Sequence, residues 1–263
     1  MSAVSFCKYQ GTGNDFIIID NRAGAYNNLT GVEVSKMCNR HFGIGADGLM
    51  LLQNKEGYDF EMIYYNADGN IGSMCGNGGR CMVKFAHDIG IVKLNYHFLA
   101  IDGAHDATIE NENYIHLKMK DVNNVNIQTS FATLDTGSPH YIAFSKNIDA
   151  MDVVAVGRSI RYSDAFAAEG ININFVEKKD DTTIAVRTYE RGVENETLSC
   201  GTGVTASALV HACQAGPNKI KVITLGGVIQ VSFEKVSDTS FNNIFLSGEV
   251  CSVFTGIYPL YIL

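Results

Sequence analysis

No stretch of the sequence approaches the roughly 18 consecutive apolar residues of a membrane-spanning helix, so the chain is not expected in a membrane. Basic blocks are absent as well. The 20 Lys and Arg stand against 28 Asp and Glu, a net charge of −8, which argues against nucleic acid as a partner. Proline is scarce, at 3 residues, and the opening MSAVSFCKYQGTGNDF has no basic stretch followed by an apolar run, so a cytoplasmic location is expected. There is no C-x-x-C and no paired His spacing, so no metal site is expected. Low-complexity segments and long linkers are missing too. The seven cysteines, at 7, 38, 75, 81, 200, 213 and 251, are odd in number. Nothing signals secretion, so a disulfide framework is not expected and thiol chemistry stays open.

What is present describes a globular chain. Apolar residues make up 46% and charged residues 18%, enough to exclude disorder. At about 150 residues per domain, 263 residues predict two domains, with the polar, Asn-rich stretch 121–126 as a candidate junction. The 26 glycines suit tight turns or close approach to a ligand. After an opening strand, strands are predicted at Phe16–Asp20, Leu49–Gln53, Phe60–Tyr65, Tyr114–Met119, Ile142–Phe144, Ile171–Val176, Thr183–Thr188, Lys221–Thr224 and Val228–Phe233. Thr30 and Glu33 form a capping-box pattern that starts a helix. Val34, Met37, Cys38 and Phe42 would line its apolar face and Gly43 would end it. A further helix is predicted over Asp149–Arg161.

An internal repeat is the most informative feature. In the first copy a strand (FEMIYY) leads into a polar loop (NADGNIGSM), then Cys75-Gly76-Asn77-Gly78, then a helix to Gly90. In the second a strand (TTIAVRTY) leads into a polar loop (ERGVENETLS), then Cys200-Gly201-Thr202-Gly203, then a helix to Gly216. The loop starts nine residues before Cys75 and ten before Cys200, and the cysteines lie 125 residues apart. Order and spacing together carry more weight than a shared C-G-x-G. Val204–Cys213 is apolar on nearly all sides and Cys81–Ala86 nearly so, as in buried helices. A central helix wrapped by strands in each half would satisfy both. Gly90 and Gly216 fit the position just past a helix end.

A cysteine at a helix start lies among N–H groups that lack a partner within the helix, at the positive end of the dipole. Its thiol should be drawn toward thiolate, and the glycines after it let a carboxylate approach the N–H groups. Two such sites suggest more than one nucleophile. If the halves are related by approximate two-fold symmetry, the cysteines could face each other across a planar carbanion. One thiolate would remove an α-proton while the opposite thiol donated one, inverting a carbon next to a carboxylate.

Other readings explain less. Cysteine is often simply buried, and Cys7, Cys38, Cys81, Cys213 and Cys251 are read as structural. Gly201–Ala206 formally matches G-x-G-x-x-A, but a polar loop precedes it and no acidic residue follows about 20 positions on, as a dinucleotide site requires. GNGGRC lacks the ending of a P-loop. A cysteine hydrolase with His140 or His211 as base leaves the duplication unexplained.

The segments GTGNDFIIID (11–20), RHFGIGADG (40–48), YYNADGNIGSMCGNGGRC (64–81), TGSPH (136–140), GININF (170–175) and YERGVENETLSCGTG (189–203) together resemble the diaminopimelate epimerase family, in family order. The resemblance implies an α+β fold of two pseudosymmetric domains, each a β-barrel-like sheet wrapped around a central helix. Its implied domains are 1–120 with 252–263, and 121–251, with the active site in the cleft between them and VFTGIYPL (253–260) returning to the first domain. The implied activity is cofactor-independent, metal-free interconversion of L,L- and meso-diaminopimelate by a homodimer, serving lysine and peptidoglycan synthesis. The acid/base pair falls on Cys75 and Cys200. Substrate contacts fall on Asn14, Asn66, Gly76, Asn77, Asn172, Glu190, Arg191, Gly201 and Thr202, and His140 and Glu190 would tune the thiols.

The resemblance departs from the common family pattern at Gly48, where Gln is usual, and at Ser138, where Asn is usual. The first removes a substrate contact or leaves it to the backbone; the second leaves room for water. The ERGVENETLSC loop is also one residue longer. Two competing functions are another two-thiol isomerase, acting on proline, histidine or a hydroxyacid, and a catalytically idle binding protein. Proline racemases typically carry His after a C-G pair, where this chain has Asn77 and Thr202, and retention of both cysteines argues against an idle protein.

Overall fold

The structure is a computed structural model and describes residues 2–260. The chain divides into two compact units. The first runs up to Leu117 and resumes at Glu249; the second is Lys118–Gly248.

The first unit contains β1 (Ser2–Gly11), β2 (Asn14–Asp20), α1 (Gly31–Cys38), β3 (Gly48–Gln53), β4 (Glu61–Asn66), α2 (Gly76–Asp88), β5 (Asn95–Ala100), β6 (Gly103–Ile109) and β7 (Tyr114–Lys118). The second contains β8 (Val125–Ile127), β9 (Ala132–Asp135), β10 (Pro139–Phe144), a 3₁₀ turn (Ile148–Ala150), α3 (Val153–Arg161), β11 (Asn172–Lys178), β12 (Thr183–Glu190), β13 (Asn195–Thr197), α4 (Gly201–His211), β14 (Gly216–Thr224), β15 (Gly227–Lys235) and β16 (Phe241–Glu249). The last strand, β17 (Cys251–Leu260), pairs antiparallel with β1. The return strand implied by the family resemblance is therefore present.

Both units repeat one topology. In the first, the strands lie in the order β17, β1, β2, β3, β4, β5, β6, β7. In the second the order is β8, β9, β10, β11, β12, β14, β15, β16. The sense of successive pairs is the same in both: antiparallel, antiparallel, parallel, antiparallel, parallel, antiparallel, antiparallel. Each parallel pair needs a crossover. The first crossover of each unit carries a short helix, α1 or α3, and the second carries the helix that follows the cysteine, α2 or α4.

The two long helices are the cores of their units, which gives the α+β fold with few helices expected above. From Gly76 to Ala86 every residue of α2 is buried, and it packs on β1, β2, β3 and β6. Nine of the eleven residues of α4 are buried, against β9, β10, β11, β12, β14 and β15. A helix surrounded by strands has no solvent face to keep polar, which explains the all-round apolar sequence of α4. No helix among the described residues is long and apolar enough to cross a membrane.

Several local expectations need correction. The Thr30–Glu33 capping box forms, but α1 stops at Cys38 and Phe42 is 89% exposed. Asn39 ends the helix: its side-chain oxygen accepts from the N–H groups of His41 and Phe42, both at 2.9 Å, and turns the chain away. Residues 149–161 are not one helix. A 3₁₀ turn comes first, and Asp152 then caps α3 by accepting from the Ala155 N–H at 3.0 Å. Gly90 does follow the end of α2 in a left-handed conformation (φ 99°), whereas α4 ends at His211 and Gly216 opens β14. Cys38 and Cys81 are buried as structural cysteines should be, but Cys213 and Cys251 are exposed.

Candidate active site

Cys75 and Cys200 occupy equivalent places: each is the N-cap of its unit's central helix, with extended backbone (φ −107° and −111°), and neither sulfur caps its own helix. Cys75 is half-buried and Cys200 is 8% exposed. Gly76 and Asn77 open α2, and Gly201 and Thr202 open α4. The N–H groups of such a first turn have no acceptor within the helix and sit at its positive end.

Around Cys75 the chain gathers amides and charges. The thiol donates to Asn14 Oδ1 at 3.5 Å, and Asn77 Nδ2 donates to the same oxygen at 3.5 Å. Asn14 Nδ2 donates to Asp47 Oδ2 at 2.6 Å, so the amide has one orientation, with its oxygen toward the sulfur. Asp47 is bridged by Arg40 to Asp15, which pairs with buried Lys8 at 2.7 Å. Burial pushes the Asp15 carboxyl up, but the bonds from Arg40 and Lys8 outweigh it and hold the group below the usual carboxylate range. Beneath Asn77 lies Arg80, fully buried, its Nη2 donating to Asn77 Oδ1 at 2.7 Å and Thr12 Oγ1 at 3.1 Å. Burial pushes this guanidinium down, with an offset from the nearby Cys81 and Cys75.

Around Cys200 the groups are hydroxyls and a neutral imidazole. Cys200 Sγ lies 3.5 Å from Thr202 Oγ1, which lies 3.2 Å from Ser138 Oγ. Ser138 Oγ in turn meets His140 Nε2 at 3.0 Å and Asn172 Nδ2 at 3.2 Å. The parallel register of β10 and β11 sets His140 beside Asn172. Burial, with a smaller contribution from the Arg191 charge, pushes the His140 imidazole down to about 3. The second glycine of the motif makes this arrangement fit: a Cβ at Gly203 would lie 2.2 Å from Asn174 Oδ1, and Asn174 holds His140.

The remaining expected residues sit more loosely. Asn172 Oδ1 accepts from the Arg191 N–H at 2.9 Å, while the Arg191 guanidinium donates to the Glu169 carbonyl. Glu190 ends β12 and accepts from Thr197 Oγ1 at 2.9 Å. Exposed Asn66 ends β4 opposite Gly48 and closes a turn with Gly69. At Gly48 no side chain fits, because a Cβ would lie 2.4 Å from the Tyr64 ring and 2.8 Å from its hydroxyl. Ser138 reaches its neighbours directly, with no water needed between them. Sequence reasoning missed Asp47, Tyr64, Arg80 and Asn174. Only Asn174 had a readable signal: it lies two residues after Asn172, hence on the same face of a strand.

The model of the family described as diaminopimelate epimerase matches residues 6–125 and again 132–251, the first stretch mostly in the first unit and the second mostly in the second. The diaminopimelate epimerase of Flavobacterium psychrophilum is 50% identical over 249 residues, covering 94% of this chain and 97% of that protein. The one from Chlorobaculum tepidum is 41% identical over 260 residues, covering 95% and 99%. Among solved structures, a Bacillus anthracis phenazine biosynthesis protein of the PhzF family superposes with a TM-score of 0.75 at 15% identity, covering 99% of this chain and all of that one. A hydroxyproline epimerase from Agrobacterium vitis gives 0.70 at 13% identity, covering 97% and 92%. The solved structures share the fold, and the family match with the two close relatives goes further: the chain belongs to the diaminopimelate epimerase family.

Proposed function

We propose that the chain interconverts L,L- and meso-diaminopimelate by two-base α-proton transfer, without a cofactor or metal, using Cys75 and Cys200 as the acid/base pair. The observation that carries this reading is that both cysteines are N-caps of buried helices at the same point of a repeated topology. One thiolate takes the α-proton and becomes a thiol. The carbanion's charge spreads into the α-carboxylate, and the other thiol protonates the opposite face and becomes a thiolate. The product leaves with inverted configuration, and the thiols have exchanged roles. The first-turn N–H groups of Gly76, Asn77, Gly201 and Thr202 are suited to the carboxylate as its charge grows. Asn14, Asn66, Asn172, Glu190 and Arg191 supply donors and acceptors for the distal ammonium and carboxylate. His140 and Glu190 adjust the thiols, His140 as a neutral group.

The reading includes a cytoplasmic homodimer. Strand β17 leaves Val253, Phe254 and Ile257 exposed, apolar side chains on an edge that suits a second copy. The activity is tested by deuterium incorporation at the α-carbon of L,L-diaminopimelate in D₂O under reducing conditions, with proline and histidine in parallel. Exchange with formation of the meso isomer is expected for diaminopimelate alone. Exchange with another amino acid only would discard the substrate, and no exchange with any of them would favour a binding protein.

A further inference from the structure

The hydroxyls beside Cys200 are not free to turn, because every amide around them has a fixed orientation. Asn174 Nδ2 donates to the Tyr141 carbonyl at 3.1 Å while its oxygen accepts from Thr188 Oγ1 at 2.9 Å. Its NH₂ therefore faces His140 Nδ1 at 3.1 Å, and Nδ1 must accept. In a neutral imidazole the proton then sits on Nε2, and Nε2–H points at Ser138 Oγ. Asn172 is fixed in the same way. Its oxygen accepts the Arg191 N–H and its NH₂ donates to the Pro139 carbonyl at 3.1 Å and to Ser138 Oγ. Two donors thus fill both lone pairs of Ser138 Oγ. Its own proton goes to the remaining neighbour, Thr202 Oγ1. Thr202 Oγ1, accepting from Ser138, has its own proton available for Cys200 Sγ, 3.5 Å away.

We propose that Ser138 is the positioning residue of the Cys200 half: by taking the N–H groups of His140 and Asn172 it orients the Ser138 and Thr202 hydroxyls as a one-way relay that presents a proton donor to the Cys200 sulfur. The inference rests on the reading of Cys200 as an acid/base thiol. A sulfur that always meets a donor is stabilised as thiolate, and the relay reaches it through the side chain at which this chain departs from the common family residue. Without the Ser138 hydroxyl, His140 Nε2–H loses its acceptor and Thr202 loses its donor, so the Thr202 proton is no longer directed at the sulfur.

The test is iodoacetamide alkylation of the full-length reduced protein, with rates at Cys200 and Cys75 read separately by mass spectrometry and turnover measured alongside. In Ser138→Ala, Cys200 should react about tenfold more slowly, the scale of one lost hydrogen bond to a charged group, and kcat should fall more than KM changes. Cys75, in the same chain, should react at its wild-type rate. Ser138→Thr keeps the hydroxyl and should restore both Cys200 reactivity and kcat. An unchanged Cys200 rate in Ser138→Ala would overturn the proposal. So would an equal slowing at Cys75, or failure of the folded Ser138→Thr protein to recover. Cys200→Ala is assayed beside them: if it still epimerises, the two-thiol reading itself falls, whatever Ser138→Ala does to alkylation.

Discussion

The Cys75 sulfur touches an amide oxygen, and the Cys200 sulfur touches a hydroxyl. Both cysteines cap the same helix of the same topology, so the backbone offers each the same dipole and the same first turn. What differs is the surrounding side chains. The first unit uses charge: Lys8, Asp15, Arg40 and Asp47 are tied into one network behind Asn14, and Arg80 is buried behind Asn77. The second uses neutral groups: Thr202, Ser138 and an imidazole kept uncharged by burial. The repeated topology supplies two equal scaffolds, and the residues around each sulfur differ. On the proposed two-base reading, in which Cys75 meets an acceptor and the Ser138 relay gives Cys200 a donor, this is a sensible asymmetry for a pair in which one member starts with the proton and the other without it.

The strongest way to break the comparison is to remove one sulfur at a time. Cys75→Ala and Cys200→Ala should each lower epimerisation by roughly a thousandfold or more, since each face needs its own acid/base group. Near-normal turnover in either, measured under reducing conditions, would mean that the halves are not partners. Next in size is Arg80→Met. A volume-conserving apolar replacement of a buried, carboxylate-free guanidinium should change folding free energy by no more than about 1.5 kcal/mol. Turnover should fall about a hundredfold, because Asn77 loses the donor that orients it and the first turn loses a buried positive charge. Equal activity in a folded Arg80→Met protein would show that the charge of the first unit is only structural.

The parts of this site legible in the sequence were those repeated in it. The strand–loop–C-G-x-G–helix order appears twice, so Cys75 and Cys200 could be found without a structure, and the all-apolar Val204–Cys213 stretch announced a buried helix. What stayed hidden depends on contacts between distant segments. The lone Arg in GNGGRC carries no sequence signal of burial, and the partners of buried Arg80 come from distant segments, Thr12 just after β1 and the Glu249 carbonyl. Phe42 fits a helical apolar face by spacing, but the Asn39 turn ends the helix first. The strands β5, β6, β8, β9, β13 and β16 escaped the sequence reading; in runs such as GAHDATI and FNNIFLSGE, glycine, Asp or Asn interrupts the regular apolar alternation that marks a strand. Ser138 was visible only as a departure from a pattern; its meaning needed the register that sets His140 beside Asn172.

The neutral imidazole gives the second unit a pH signature. His140 has its folded value held near 3 against 6.5 for the ordinary group. Because the unfolded chain takes up the proton first, the stability it contributes is complete above pH 6.5 and is lost as pH falls from there toward 3. Between pH 7 and pH 5 the loss should be about 2 kcal/mol. Burial also lowers His211, which adds to the fall in the same direction. His140→Gln keeps a donor and an acceptor but cannot titrate. The unfolding free energy of this variant from urea titration should drop less between the two pH values than that of wild type, by about 2 kcal/mol. An identical drop would show that His140 is charged in the folded protein and that the second unit is not the neutral one.

The finest distinction concerns Arg191, whose charge helps keep His140 neutral and whose guanidinium is exposed. Arg191→Lys retains the charge but loses the planar fork that can grip a carboxylate with two parallel bonds. The backbone N–H that orients Asn172 is untouched, so the Ser138 relay should survive. KM for diaminopimelate should therefore rise about tenfold with kcat and Cys200 alkylation nearly unchanged, and folding stability should move by no more than about 0.5 kcal/mol. Steady-state kinetics separate the alternatives. A fall in kcat without a change in KM would place Arg191 with the groups that tune the thiol, and unchanged kinetics would remove it from the substrate's surroundings.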